Sequence, residues 1–521
     1  MTGEPEWDVV VVGAGSAGSV VAARLAAAGR RVLVLEAGAD QPLSPTAPNP
    51  LRDGTRLILE GHNWDYQANL RGGGDRNSRA LWGRFPYRLG KVVGGSSSVN
   101  GAVAMRALPR DFAEWVDLGN PDWSWDRVLP FYRRIERDTD FPGGDHGADG
   151  PIPIRRPSRD RLHPLDAAFW DECVRAGLPV LPDLNAGVAD GVGPVPANTV
   201  GVERVDTAAA YLAPARALPG LEVRTGCRVT RLLLDGRRAT GVEVVRDGEV
   251  GRIGARQVVL SAGAIGSPVI MLRSGIGAAE RCAELGVPSV VDLPGVGENL
   301  VDHPSVVIWA KPQDGLCTPG TPWRQVAARM SSGVDDGDAD LQVWLLNNVE
   351  TKSIPGFANR LGWPMVVGIS VMLLRPASRG RVYLADADPD SAPVIELAFG
   401  TVDDDVERLA HGVRKAWRIL RSPAFAERLT EIQLWNDAMV ADDVVLRSAV
   451  RNVMSPGWHA VGSARMGPAD VPTSVVDQEC RVHGVADLRV VDASVFPTMP
   501  SAPTNLTTIM LAEKIAGAMG R

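Results

Sequence analysis

The sequence predicts an α/β protein (α+β overall). A parallel, doubly wound nucleotide-binding sheet is assembled from separated segments, with a second lobe threaded between them. Three observations point there. Residues 8–12 (DVVVV) run into GAGSAG, then SVVAARLAAAG, then RVLVLEAG. A β-branched run, a glycine turn, an alanine-rich stretch and a second β-branched run read as strand, turn, helix and strand. The run QVVLSAGAIGSP (257–268) again passes from strand into a glycine turn, and DLRVVDASVFPTMP (487–500) has the same character. One sheet built from all three is the economical reading.

Taken in order, the first helix stops near Gly29. Residues 39–90 form a long Pro/Asn/Asp/Gly-rich excursion of poor periodicity. Helix is predicted over 110–138, its start marked by Pro109–Arg110–Asp111, and loop over 140–163. Strand pairs are predicted at 221–224 with 228–234 and at 240–246 with 251–260. LTTIMLAEKIAGAMG is a final helix, and there is no repeat of fixed period. The nucleotide-binding domain then comprises 1–150, 201–300 and 455–521, and the second lobe 151–200 and 301–454.

The chain has 521 residues, 45% hydrophobic and 22% charged, which excludes a disordered protein. A net charge of −7 argues against nonspecific nucleic-acid binding, which needs a basic footprint. Arginine outnumbers lysine 50 to 5, which reads as GC-rich coding bias rather than function. Five scattered Cys with no CxxC point to reduced thiols, neither a disulfide framework nor a metal site. There is no signal-peptide pattern and no apolar stretch of about 18 residues, so no transmembrane segment, and a soluble cytoplasmic protein is expected.

Gly13, Gly15 and Gly18 make GxGxxG between a strand and a helix. Gly13 permits the tight turn, Gly15 lets the backbone approach a pyrophosphate, and Gly18 allows close helix–strand packing. The helix N-terminus favours the phosphates. Glu36 ends the second strand, placed to bond a ribose 2′-OH and to repel a 2′-phosphate, which disfavours NADP. The motif alone does not separate FAD from NAD.

Longer patterns do. GKVVGGSSSVNGAVAMRALP (90–109) and GAIGSPVIMLRSGIG (263–277) resemble the two signatures of the glucose–methanol–choline (GMC) oxidoreductases. PGVGENLVDHP (294–304), LLRPASRGRVYLADADP (373–389), WHAVGSARMG (458–467) and VVDASVFPTMPSAPTNLTTIMLAEK (490–514) are similar to the family's other landmarks, in the right order. The resemblance covers nearly the whole chain. It implies a Rossmann-like FAD-binding domain, a substrate domain with an antiparallel sheet and helices, and oxidation of an alcohol CH–OH group. It implies that Gly13, Gly15, Ser16, Gly18, Glu36 and Ala37 hold FAD from the first turn and strand, and Val93, Gly95, Ser96, Asn100 and Gly101 from the first signature. It further implies an adenine contact through the backbone of Val229, and contacts from Asp492, Ala493, Asn505 and Thr507. Some members attach FAD through a His directly before the Asn; Val99 stands there, so noncovalent FAD is expected.

Of the seven His, His459 taken alone reads as a structural histidine, and His303 as one that fixes a loop. The resemblance makes His459 the active-site His and Asn505 its partner. A neutral imidazole can take the alcohol proton at pH 7; an amide can only position. Asn505 also suits an N-cap of the final helix.

Within the family the pattern is closest to bacterial aryl-alcohol and hydroxymethylfurfural oxidases and choline dehydrogenase-like members, and a primary aryl or apolar alcohol is the expected substrate. Trp309, Trp344, Trp363 and Trp458 suit it. The acceptor is left open among O2, a quinone and a redox peptide. Alternatives are an actinobacterial dehydrogenase reoxidising mycofactocin, a tailoring enzyme of secondary metabolism, an FAD-containing hydroxynitrile lyase, and a noncatalytic flavin-binding protein.

Overall fold

The computed structural model describes residues 7–41, 49–56, 60–71, 84–334, 339–354 and 362–520. Two seven-stranded sheets organise it. In the first, strand Trp7–Val12 lies between Val32–Leu35 and the C-terminal part of Glu249–Leu260, parallel to both. A parallel sheet covered on both faces needs apolar strands, and Val10, Val11, Val32, Leu33 and Val34 are fully buried. Leu221–Arg224 closes one edge on Val32–Leu35, and Leu488–Val490 pairs with Val258–Leu260 on the other side. The three strand-and-turn pieces of the sequence therefore meet in one sheet.

Helix Gly18–Ala27 covers this sheet. A Cβ on Gly18 would stand 1.9 Å from the Gly13 carbonyl oxygen, so only glycine lets the helix start this close to the strand. The final helix, Asn505–Met519, packs on it and on helix Trp125–Ile135.

Two local expectations differ. Leu221–Arg224 does not pair with the strand after it; it runs parallel to Val32–Leu35, whose buried edge it covers, while Arg228–Asp235 pairs with Arg238–Arg246. The single helix over 110–138 is two helices, Pro109–Asp117 and Trp125–Ile135. Gly119, at φ 89°, and the turn Pro121–Trp123 separate them, and residues 136–138 become a strand beside Ile152–Ile154.

The second sheet is antiparallel. Its order is 429–432, 304–312, 365–373, 341–350, 326–330 and 191–194, with 455–456 pairing against 304–305. Helix Asp403–Leu420 packs on it through Gly412, where a Cβ would reach 2.5 Å from Val371 Cγ1. Alternate residues share a sheet face, and Ser305, Val307, Trp309, Trp344, Leu346, Ser370 and Met372 all line one cavity. Gly368 makes room there: a Cβ would stand 2.8 Å from the Trp309 ring.

The excursion at 39–90 is not all irregular. Asn63–Asn69 and Phe85–Gly90 form a hairpin, extended by Val394–Glu396 and Arg381–Tyr383. Its Trp64 and Tyr66 line one cavity and its Phe85 and Arg88 another. Among the described residues no helix is long and apolar enough to cross a membrane.

Candidate active site

Two cavities, of about 430 and 380 Å³, share a neck formed by Leu89, Ser96, Asn100, Gly101, Arg324, Trp458 and His459. The larger runs over the C-terminal ends of the parallel strands, where doubly wound sheets bind nucleotides.

Its nucleotide end is made of backbone. Gly13 (φ 97°) turns the chain, and a Cβ there would meet Ser261 O at 2.5 Å. A Cβ on Gly95 (φ 53°) would stand 2.7 Å from Gly15 Cα, so two glycine loops touch across the cavity wall. Glu36 accepts from the Ala14 N–H at 2.9 Å and the Gly38 N–H at 2.7 Å. Burial nevertheless raises its carboxyl above the usual range. Gly13, Gly15, Ser16, Glu36, Ala37, Gly95, Ser96, Asn100, Gly101, Val229, Asp492, Ala493 and Asn505 all line this cavity.

Gly18, Val93 and Thr507 do not line it. Gly18 serves packing. Val93 is buried, and its carbonyl is taken by the Gln41 amide at 2.7 Å and the Ser98 hydroxyl. The Thr507 hydroxyl meets the Tyr132 hydroxyl at 2.8 Å, inside the protein; one residue on, a rotation of about 100° along the helix, Thr508 faces the cavity instead. Asp492 lines the cavity, but its carboxylate accepts from the Gly263 N–H, Ser267, and the Ser494 N–H and hydroxyl, which makes it the knot of its own turn. Asn505 is the first residue of its helix rather than the cap; its Oδ1 accepts from Ser16 Oγ at 2.7 Å.

The glycine–serine loop is rigidly held. Ser97 donates to Gly94 O at 2.6 Å, and Ser98 to Asp206. Asn100 Oδ1 accepts from the Ala102 N–H at 2.8 Å. The Arg204 guanidinium donates to the carbonyls of Leu51, Ser98 and Asn100. No sequence motif pointed to Arg204, because its partners are carbonyls far away in the chain.

His459 sits where the two cavities meet. Its backbone N–H donates to Asp302 Oδ1 at 2.9 Å, and Asp302 Oδ2 accepts from the Tyr87 hydroxyl at 2.6 Å. Trp458 before it has φ 58°, a rare conformation for a bulky residue. A Cβ on Gly457 would stand 2.9 Å from His459 Nδ1. His303 does fix loops, since its Nε2 reaches the carbonyls of Leu374 and Pro500, both at 3.1 Å. It also meets His459, Nδ1 to Nδ1 at 2.9 Å, with the rings perpendicular.

These contacts fix both tautomers. Carbonyls only accept, so His303 Nε2 carries its proton and Nδ1 is bare. His459 Nδ1 must then donate, which leaves His459 Nε2 bare. Burial, then His303, then Arg324 hold the His459 imidazolium well below its ordinary value. Burial takes His303 down to about 4, and pushes the Asp302 carboxyl up to about 7. At neutral pH the pair is uncharged.

The residues fit FAD. Gly13, Gly15 and Gly95 bring bare backbone to the cavity where a pyrophosphate would lie, Glu36 stands at the end of the second strand, and a flat ring has Gly95, Ser96, Asn100 and Gly101 to lie against.

Comparison with known proteins agrees. The family model described as GMC oxidoreductase matches residues 7–305 with its N-terminal part and 376–512 with its C-terminal part. The chain is 38% identical to 5-(hydroxymethyl)furfural oxidase of Methylovorus sp., over 98% of each chain. It is 33% identical to the oxygen-dependent choline dehydrogenase of Photobacterium profundum, covering 98% of this chain and 93% of that one. Among solved structures, pyridoxine 4-oxidase from Mesorbium loti superposes with a TM-score of 0.87 at 30% identity, covering 98% of this chain and 99% of that one.

Proposed function

The chain belongs to the GMC oxidoreductase family, the FAD-dependent alcohol oxidases and dehydrogenases acting on CH–OH donors, and from that premise we propose that it oxidises a primary aryl or apolar alcohol to the aldehyde, with His459 as the base. The observation that carries this reading is the bare Nε2 of His459 at the junction of the two cavities.

The alcohol occupies the smaller cavity, whose walls include Trp309, Trp344, Trp435 and Trp458. Its carbinol reaches through the neck into the larger cavity, where its hydroxyl donates to His459 Nε2 and its oxygen accepts from Asn505 Nδ2. Bound FAD supplies the two-electron acceptor for the hydride leaving the carbinol carbon. As that C–H bond breaks and C=O forms, the hydroxyl proton moves to His459 Nε2. His303 holds the ring in the tautomer that can accept it, and Asp302 holds the backbone. General-base help of this kind is worth about 10²–10⁴-fold. Segments 1–150, 201–300 and 455–521 hold the cofactor and segments 151–200 and 301–454 the substrate, although 455–456 joins the substrate-side sheet. FAD is bound noncovalently, with Val99 at the attachment position.

The test is anaerobic absorption spectroscopy of the FAD-bound protein with a panel of benzylic, furfurylic and aliphatic primary alcohols. Bleaching of the flavin by an aryl alcohol supports the reading, and readmitted air, quinone or redox peptide then identifies the acceptor. A flavin that stays oxidised with every alcohol, while hydroxynitriles are cleaved, overturns it in favour of a lyase.

A further inference from the structure

Among the described residues, nothing in the smaller cavity answers the charge it carries. Among the described residues its lining includes two arginines, Arg88 and Arg324, and no carboxylate. Arg324 also lines the larger cavity, so it stands at the neck with His459. Among the described residues no acceptor meets its guanidinium, and its Nε is buried with no hydrogen-bond partner. Indole faces flank it instead, with Trp323 4.2 Å and Trp344 4.6 Å from the guanidinium carbon. Such faces stabilise a cation but leave its N–H fork unused. Gly101 provides the space, because a Cβ there would stand 3.1 Å from Trp323 and 3.5 Å from Arg324 Nη1.

A half-buried guanidinium whose Nε is sealed away without a partner is costly. Burial alone brings Arg324 down to about 9, with no neighbouring group countering it. Two buried arginines show one solution, a carboxylate partner, whereas Arg204 is answered by carbonyls. Arg106 pairs with Glu136, and Arg156 with Asp138 and Asp183. The partner missing at Arg324 is best supplied by what enters the cavity. One planar fork between two ring faces suits one planar carboxylate, which it can grip with two parallel bonds.

We propose that Arg324 is a substrate-recognition residue, and that the natural substrate is a primary alcohol bearing a carboxylate on a flat apolar body. The carboxylate lies on Arg324, the body lies against the tryptophans, and the carbinol faces His459. A quaternary-ammonium alcohol is disfavoured by the same charge. The inference rests on the alcohol-oxidising reading for the carbinol, but the anion site can be tested without turnover.

The probe is perturbation of the oxidised flavin spectrum of the holoenzyme by benzoate and by benzamide, which have nearly the same shape. Benzoate should bind about tenfold or more tighter. The ratio should fall to near one in Arg324→Met and recover in part in Arg324→Lys. Equal binding in the wild type, or a ratio that persists in Arg324→Met, overturns the proposal; the wild-type ratio decides even if a variant fails to fold. In turnover, kcat/KM for 4-(hydroxymethyl)benzoate should exceed that for its amide by a similar factor. A benzoate preference with no alcohol oxidised would sink the alcohol reading and keep the anion site. Alcohols oxidised with no carboxylate preference would do the reverse.

Discussion

At the nucleotide end of the cavity the wall is backbone, whereas at the His459 end it is side chain. The first is made of Gly13, Gly15 and Gly95: a Cβ on Gly13 would collide with Ser261 O, and one on Gly95 with Gly15 Cα. The second is made of His459, Trp458 and Arg324, with His303, Asp302 and Tyr87 buried behind His459 and drawn onto it from segments far apart in the chain. A backbone site recognises phosphates that every dinucleotide carries. A side-chain site can be tuned in charge, proton position and shape without disturbing the fold. Cofactor binding and chemistry should therefore separate cleanly on mutation.

The largest effect is expected at the backbone end. In Gly95→Val the new side chain would collide with Gly15 Cα, at a φ that valine avoids. The variant should fold but lose FAD, seen as loss of flavin absorbance relative to protein. Retention of stoichiometric FAD would show that the two loops part easily.

An intermediate effect is expected at His303→Ala. FAD should stay bound, while the rate of flavin reduction falls about 10- to 100-fold as His459 loses its fixed tautomer. A pH profile separates this positioning role from mere packing. With His459 in the proposed role of proton acceptor and its imidazolium destabilised, kcat/KM should be flat from pH 8 down to the ordinary histidine range of about 6.5 and fall only below it. Because His303 contributes to that depression, the acid limb should move to higher pH in the variant. An unmoved limb would mean that His303 only packs.

The smallest effect is expected at Thr507→Val, which leaves the Tyr132 hydroxyl without its partner. Stability in urea should fall by about 1–3 kcal/mol, with FAD content unchanged. FAD loss would place Thr507 at the cofactor.

The same contrast explains what the sequence reveals. The glycine motif, Glu36 and the strand-and-turn pieces at 257–268 and 487–500 are legible because backbone geometry leaves a local trace: glycine where φ is positive, β-branched runs where strands are buried. The pairing of 221–224 with 32–35 leaves none, since the neighbouring hairpin is just as plausible from local pattern. His459 and Asn505 are legible only through the family pattern. The His303–His459 contact, the staple Arg204 and the unpaired Arg324 are invisible in sequence, because each depends on what lies across the cavity. Thr507 and Thr508 show the limit of reading a helix by pattern alone: one residue, a turn of about 100°, decides which faces the cavity.

The most direct test of the division between holding and reacting is the rate of anaerobic flavin reduction by an aryl alcohol in His459→Ala, with FAD content measured on the same sample. The expected result is full FAD occupancy with reduction slowed about 10²–10⁴-fold. Reduction at the wild-type rate with FAD bound would contradict it, and would move the proton acceptor away from His459.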